Sequence, residues 1–375
     1  MRLTLCTGLC AMLPHAYAED LPILQAEPLI VTATRVPTRS ADLLQSTTTL
    51  ERGAIAILPR PDALHALDGA AGFESAQTGG LGTLGGIFLR GTDSDQTLVL
   101  IDGIRVNAPT DGGVPLNNVP LDAIERIELV RGNVSSLYGS QAIGGVIQLF
   151  TQREQRDNGA TVAGAIGSLH TGKAAAQVSG GNDITRFGFG TSYLTTDGFS
   201  AVREREIPSF TTRTEDLDDD AYRNASVHAN LAHTWSANHE LRASLLHTRA
   251  RTEFDGSFEN RTLSELTVFA LNSVDALSES WTSRLTLGQA ENLARNSLDS
   301  TATSKFATKN QQLTWQNELR LTPDQTLLAG IEWLRQSVDS TTAYDQVSRR
   351  VTSPFAGYYL KHGAVSAQFS ARHDR

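Results

Sequence analysis

Residues 225–235 read Ala225-Ser226-Val227-His228-Ala229-Asn230-Leu231-Ala232-His233-Thr234-Trp235. Ala225, Val227, Ala229, Leu231 and Trp235 share one phase, while Ser226, His228, Asn230 and Thr234 share the other. Period-two alternation puts these two sets on opposite faces of a strand. The same texture returns at Leu327, Ala329, Ile331 and Trp333, and at Val365, Ala367 and Phe369. A half-buried sheet of a soluble sandwich would alternate in the same way. Length and company favour a membrane wall. The spacing predicts 11 segments, at 160–168, 173–180, 185–194, 224–235, 239–250, 264–272, 279–289, 309–320, 325–336, 354–362 and 363–372. Most suit tilted transmembrane strands, which need about 9–11 residues. Their second faces carry Gln, Asn, Ser, Thr and Arg, which a wet lumen accepts and a dry core does not. Trp235, Trp281, Trp315 and Trp333 fall in or beside these segments, where an aromatic girdle belongs. Between strands, 195–223 and 290–309 are expected to be long polar loops, against short links such as 179–183.

Upstream of the wall the pattern changes to that of a compact mixed α/β domain. A short helix is expected at 63–67. Gly79, Gly80, Gly82, Gly85 and Gly86 crowd one loop, where tight turns or close approach are needed. Residues 97–101, Thr-Leu-Val-Leu-Ile, form a fully apolar strand stopped by the Asp102-Gly103 turn signal, and another strand is expected at 124–130. At the start, Arg2, an apolar stretch from Leu3 to Leu13, and the small-x-small end Ala16-Tyr17-Ala18 have the grammar of a secretory signal. Cleavage there would remove Cys6 and Cys10, the only two cysteines, leaving neither disulfide nor thiolate chemistry. The run at 28–35 is short and β-prone in polar surroundings; it reads either as a first strand or as a segment offered for strand addition. The net charge of −9, without a Lys/Arg cluster, argues against nucleic acid as a partner.

Three stretches, in this order, resemble the TonB-dependent outer-membrane receptors, and among them the vitamin B12 (cobalamin) receptors. Leu29-Ile30-Val31-Thr32-Ala33 resembles the TonB box. Ile87-Phe88-Leu89-Arg90-Gly91-Thr92, with residues 97–107, resembles the plug core, as does 124–147 with its Arg131-Gly132, Tyr138-Gly139-Ser140 and Gly144-Gly145. The resemblance implies a signal at 1–18, an extension with the TonB box at 19–40, a plug at 41–151 and a partial barrel at 152–375. The implied fold is an N-terminal mixed α/β plug followed by antiparallel transmembrane strands. These make half of a barrel of about 22 strands. The chain is expected to be truncated, because an open half-barrel would leave backbone groups unpaired in hydrocarbon.

What the resemblance implies for function is energy-coupled uptake of cobalamin or a related corrinoid, without catalysis, in the outer membrane of a Gram-negative bacterium. The alternatives are a siderophore or heme receptor, and a non-functional fragment. The implied partners are a TonB-type periplasmic coupling protein, a corrinoid or metal-chelate ligand, and outer-membrane lipid and lipopolysaccharide. Leu29 to Ala33 would be the strand-addition handle, freed on ligand binding. Arg90, Arg131, Glu125 and Glu128 would pair with one another and with the wall. Ligand would meet Thr78, Leu84, Gly85, Gly86, Asp93, Ala108 and Thr110 on the plug loops. In that first loop Gly85 and Gly86 stand where the cobalamin pattern has hydroxyl residues, and Thr78 and Asp93 replace amides, so the corrinoid itself stays open. Asp216, Asp218 and Asp220, with Asp255 from the next long loop, resemble a calcium-binding loop, since a hard cation needs clustered oxygen ligands. A solvated acidic loop is the other reading. No nucleophile signature or phosphate loop accompanies them, and His228 and His233 fall on opposite strand faces.

Overall fold

The computed structural model describes residues 29–153, 158–201, 218–256, 258–363 and 365–375. The signal and the first part of the extension lie outside them. The N-terminal domain contains β1 (Leu29–Ile30), β2 (Thr38–Arg39), β3 (Ser46–Glu51), α1 (Arg52–Ile57), α2 (Ala63–Ala66), β4 (Phe73–Gln77) and β5 (Gly85–Leu89). It continues with β6 (Thr97–Ile101), β7 (Ile104–Arg105), β8 (Ile124–Arg131), α3 (Ser135–Tyr138) and β9 (Gly145–Thr151). Five of these strands form one mixed sheet in the order β3-β8-β9-β6-β7, with β6 and β9 parallel and the other pairs antiparallel. The expected all-apolar strand 97–101 is β6, buried at every position because both faces of the sheet are covered. Asp62 caps α2 by accepting from the His65 amide at 3.0 Å.

The second unit is a single antiparallel sheet of 11 strands in strict sequence order. These are β10 (Gly159–Ile166), β11 (Gly172–Gly181), β12 (Thr185–Thr196), β13 (Tyr222–Ser236), β14 (His239–Glu253) and β15 (Arg261–Ser278). They continue as β16 (Trp281–Leu298), β17 (Thr301–Thr322), β18 (Gln325–Ser340), β19 (Ser348–His362) and β20 (Val365–Arg372). Each predicted segment has its strand, and several strands run well past the predicted ends. The stretch 290–309, expected to be a loop, is a hairpin: β16 continues to Leu298, turns in two residues, and β17 resumes at Thr301. Only Ala290, at its start, joins the core shared with the plug, and the residues beyond it are mostly polar. Cross-strand backbone pairing, Ala290 to Asn310 through Leu298 to Thr301, satisfies the backbone without an apolar stripe.

The alternation sorts as the period requires. In β18, Ile331 and Trp333 are exposed on the outer face, while Glu332 and Gln336 are buried on the inner face. The plug packs against that inner face. Leu246, Leu266, Val268, Ala270 and Ala290 of the wall share a core with Ile101, Ile104, Val106 and Leu116 of the plug. Fully burying one of the leucine, isoleucine or valine side chains among these is worth about 1.5–3 kcal/mol. One end of the wall carries the longer connections, 197–221 and 254–260; the other has tight turns at 237–238, 279–280 and 323–324.

Candidate functional site

The coupling-segment candidate, Leu29 to Ala33, sits at the tight-turn end. Its first two residues pair with β2, Leu29 opposite Arg39 and Ile30 opposite Thr38. The chain then crosses the plug sheet where Glu128 of β8 and Gln148 of β9 stand side by side. One carboxylate oxygen of Glu128 accepts from the amides of Val31 (3.2 Å) and Thr32 (3.0 Å) and from the Thr32 hydroxyl (2.5 Å). The same hydroxyl lies 3.1 Å from Gln148 Oε1. Glu128 is 1 % exposed, and its other oxygen is 2.9 Å from the Arg126 guanidinium. Ile30, Ala33 and Val36 enter an apolar cluster with Leu98, Leu100, Val130, Tyr138 and Phe355. The segment read as a strand-addition handle is therefore docked. The reason is non-local: a carboxylate 96 residues beyond Thr32 supplies the acceptor that two amides and a hydroxyl require.

Two residues beyond the segment, Arg35 reaches the wall. Glu332, in the inward phase of β18, receives Arg35 at 3.1 Å, Arg105 at 2.9 Å and Arg372 at 2.9 Å. The Arg35 guanidinium also stacks over Tyr138 (4.2 Å) and Phe355 (4.4 Å), which covers its face. Burial holds the Arg105 guanidinium below its ordinary pKa and pushes the Tyr138 phenol up to about 12. The expected plug charges are arranged differently. Arg131 donates to the Ala71 carbonyl and to the Thr48 hydroxyl (2.7 Å) inside the plug, Arg90 is exposed, and Glu125 is half-buried. Burial, and then the charge of Arg90, hold Arg131 below its ordinary pKa. So the expected pairing of Arg90, Arg131, Glu125 and Glu128 with the wall gives way to Arg35 and Arg105 on Glu332. A charged residue in the inward phase between Ile331 and Trp333 was the available signal.

The other candidate loops gather at the long-connection end. Ser94 joins two of them, donating to the Ile87 carbonyl (2.9 Å) and accepting from the Ile87 amide (3.0 Å). Loop 108–113 packs on the same corner, with Gly112 so close to Asp95 that a Cβ there would lie 2.2 Å from its Cα. Thr78, Leu84, Asp93 and Thr110 are exposed on this surface. Gly85 and Gly86 belong to β5, and Ala108 is buried, its amide donating to the Gly113 carbonyl at 2.9 Å. The wall holds the first loop. Gly82, at φ +79°, leaves room for the Tyr222 ring, which a Cβ would meet at 2.2 Å. The Tyr222 hydroxyl lies 3.1 Å from Asn118 Oδ1, and the Thr252 hydroxyl donates to the Gly82 carbonyl at 3.2 Å.

Of the acidic candidates, Asp216 lies outside the described residues. Asp218 is exposed; Asp220 is buried and accepts from the Ala201 amide at 3.1 Å, and Asp255 accepts from the neighbouring Ser200 hydroxyl at 3.2 Å. Among the described residues, no three His, Cys, Asp or Glu side chains are grouped to hold a metal ion.

A mixed plug hydrogen-bonded to the inner face of an outward-apolar antiparallel wall defines a plugged outer-membrane β-barrel receptor. Residues 39–146 match the family model described as TonB-dependent Receptor Plug Domain, so the chain carries such a plug, and the 11-stranded wall that follows it resembles the barrels of TonB-dependent receptors. It is 31% identical to the vitamin B12 transporter BtuB of Photobacterium profundum, over 74% of this chain and 45% of that protein. The vitamin B12 transporter BtuB of Vibrio vulnificus (strain YJ016) is 28% identical over 96% of this chain and 59% of its own length. Among solved structures, the siderophore receptor PirA from Acinetobacter baumannii superposes with a TM-score of 0.69 at 18% identity, covering 88% of this chain and 56% of that one. The chain thus spans about half the length of the relatives it matches. Outer-membrane residence follows from the family.

Proposed function

We propose that this chain supplies the plug and part of the wall of an energy-coupled receptor that imports cobalamin or a related corrinoid into the periplasm. The observation that carries the substrate is sequence identity to vitamin B12 transporters extending through both plug and wall, over 96% of the chain in one case. The likeness to siderophore receptors is one of fold, at 18% identity.

In this reading solute settles on the exposed corner formed by residues 78–86, 92–95 and 108–113, beneath the outer loops. Occupancy favours a state in which Leu29 to Ala33 leaves Glu128 and becomes available to a TonB-type coupling protein by strand addition. Arg35 on Glu332 joins that segment to the wall, so release requires both contacts to yield. The outer apolar face meets outer-membrane lipid and lipopolysaccharide. Calcium at Asp216, Asp218, Asp220 and Asp255 would draw together the two outer connections that the Ser200–Asp255 hydrogen bond already joins. Binding of labelled cyanocobalamin and of ferric enterobactin to receptor-deficient outer membranes carrying a closed barrel that includes this chain tests the reading, with and without a calcium chelator. Saturable corrinoid binding weakened by the chelator is expected; saturable siderophore binding without corrinoid binding would refute it.

A further inference from the structure

Between the plug sheet and the wall lies a cavity of about 660 Å³ that the uptake reading does not use. It is at the coupling end. Val31 and Arg35 line it on one side, and Ala237 and Asn238, from the tight turn between β13 and β14, line it on another. The outer corner with Gly82 and Tyr222 is at the opposite end of the same strands.

Its lining is rich in donors. Six arginines border it against three carboxylates, Asp102, Glu240 and Glu332, while Arg126 and Arg284 are also paired, at 2.9 and 3.5 Å, with Glu128 and Glu318 outside the lining. Glu332 is already shared by three guanidinium groups. Arg35, Arg105, Arg126 and Arg284 each bury an Nε–H with no acceptor among the described residues. The Arg35 and Arg105 side chains are 8% and 4% exposed, so solvent does not readily replace the missing acceptor. A buried charged donor without an acceptor has given up its hydration for nothing in return. Four around one hollow make an environment that an oxygen-bearing anion would stabilise. Neutral amide and hydroxyl groups of Asn272, Ser244 and Thr286 complete the wall side and add no repulsive charge.

We propose that this vestibule is a second solute site, which holds an oxyanion-bearing solute by its phosphate or carboxylate groups after the outer corner releases it. The role in transit rests on the uptake reading, in which the nucleotide phosphate of a corrinoid would be the group held. The site itself does not depend on that reading.

The test titrates inorganic pyrophosphate into the full chain purified in detergent and follows binding by phosphorus NMR. Two variants are compared: Ser244→Trp, which fills the hollow from β14, and Arg284→Gln, which removes one guanidinium without changing its size greatly. Hydrogen exchange of the plug sheet checks that each is folded. Saturable binding, weakened at least about tenfold by both variants, is the expected result; tenfold corresponds to one charge-assisted contact. Absence of saturable binding, or binding indifferent to Arg284→Gln, overturns the proposal. Cyanocobalamin binding at the outer corner is measured on the same samples. Its loss with pyrophosphate binding intact would count against the uptake reading alone.

Discussion

Replacing Glu128 with Gln should loosen the coupling segment without unfolding the plug. In the wild-type chain one Glu128 oxygen takes three donors, two of them backbone amides, at 3.2, 3.0 and 2.5 Å. Hydrogen bonds to a charged group are worth about 1.5–3 kcal/mol each, against about 0.5–1.5 for neutral ones. Glutamine keeps an acceptor oxygen but loses the charge. The three donors share one atom, so their losses do not add fully, and the docked state should weaken by about 2–3 kcal/mol. At 1.4 kcal/mol per factor of ten, that is about a 30- to 150-fold rise in the open population. The readout is hydrogen exchange at the Val31 and Thr32 amides, compared with amides of β6 as an internal standard. Exchange should accelerate by that factor at 31–32 and stay unchanged in β6. Unchanged exchange at both places would show that apolar contacts of Ile30 and Val36, not the carboxylate, hold the segment.

Other consequences are independent of that one. Glu332→Gln leaves three buried guanidinium groups without their anion and should cost about 3–5 kcal/mol, seen as a lower urea midpoint for separation of plug from wall. Gly82→Ala forces a Cβ into the Tyr222 ring at a positive φ, and should weaken outer solute binding. Tyr222→Phe, which keeps the ring and removes its hydroxyl contacts, should weaken it less; equal effects would refute a steric role for Gly82. Asp62, chiefly by its hydrogen bond, raises the His65 pKa above 6.5. Stability from that pair is therefore complete below pH 6.5 and is lost as pH rises through the higher folded value. A thermal melt of the wild type should fall across that window, and His65→Asn should flatten the fall.

The wall was legible because period-two alternation is local: Ile331 and Trp333 point out and Glu332 points in whatever the partner strand. Strand ends were less so, since β16 and β17 continue beyond the plug with polar residues on both faces. Position 97–101 was readable as a strand because it is buried on both sides. The docked coupling segment could not be read. Its acceptor, Glu128, and its wall tether, Glu332, are brought close only by folding. Arg35 and Arg105 look like ordinary surface charges in the sequence, and nothing local shows that both meet one carboxylate. Apical loop proximity depends likewise on Ser94 reaching back to Ile87.

The central claim is that outer solute and coupling segment are linked, and linkage requires solute to favour one segment state over the other. The most direct test is hydrogen exchange at Val31 and Thr32 in outer membranes, with and without saturating cyanocobalamin. Faster exchange with the corrinoid, together with increased cross-linking of this segment to the periplasmic domain of TonB, is the expected result. Saturable corrinoid binding that leaves both exchange and cross-linking unchanged would contradict it.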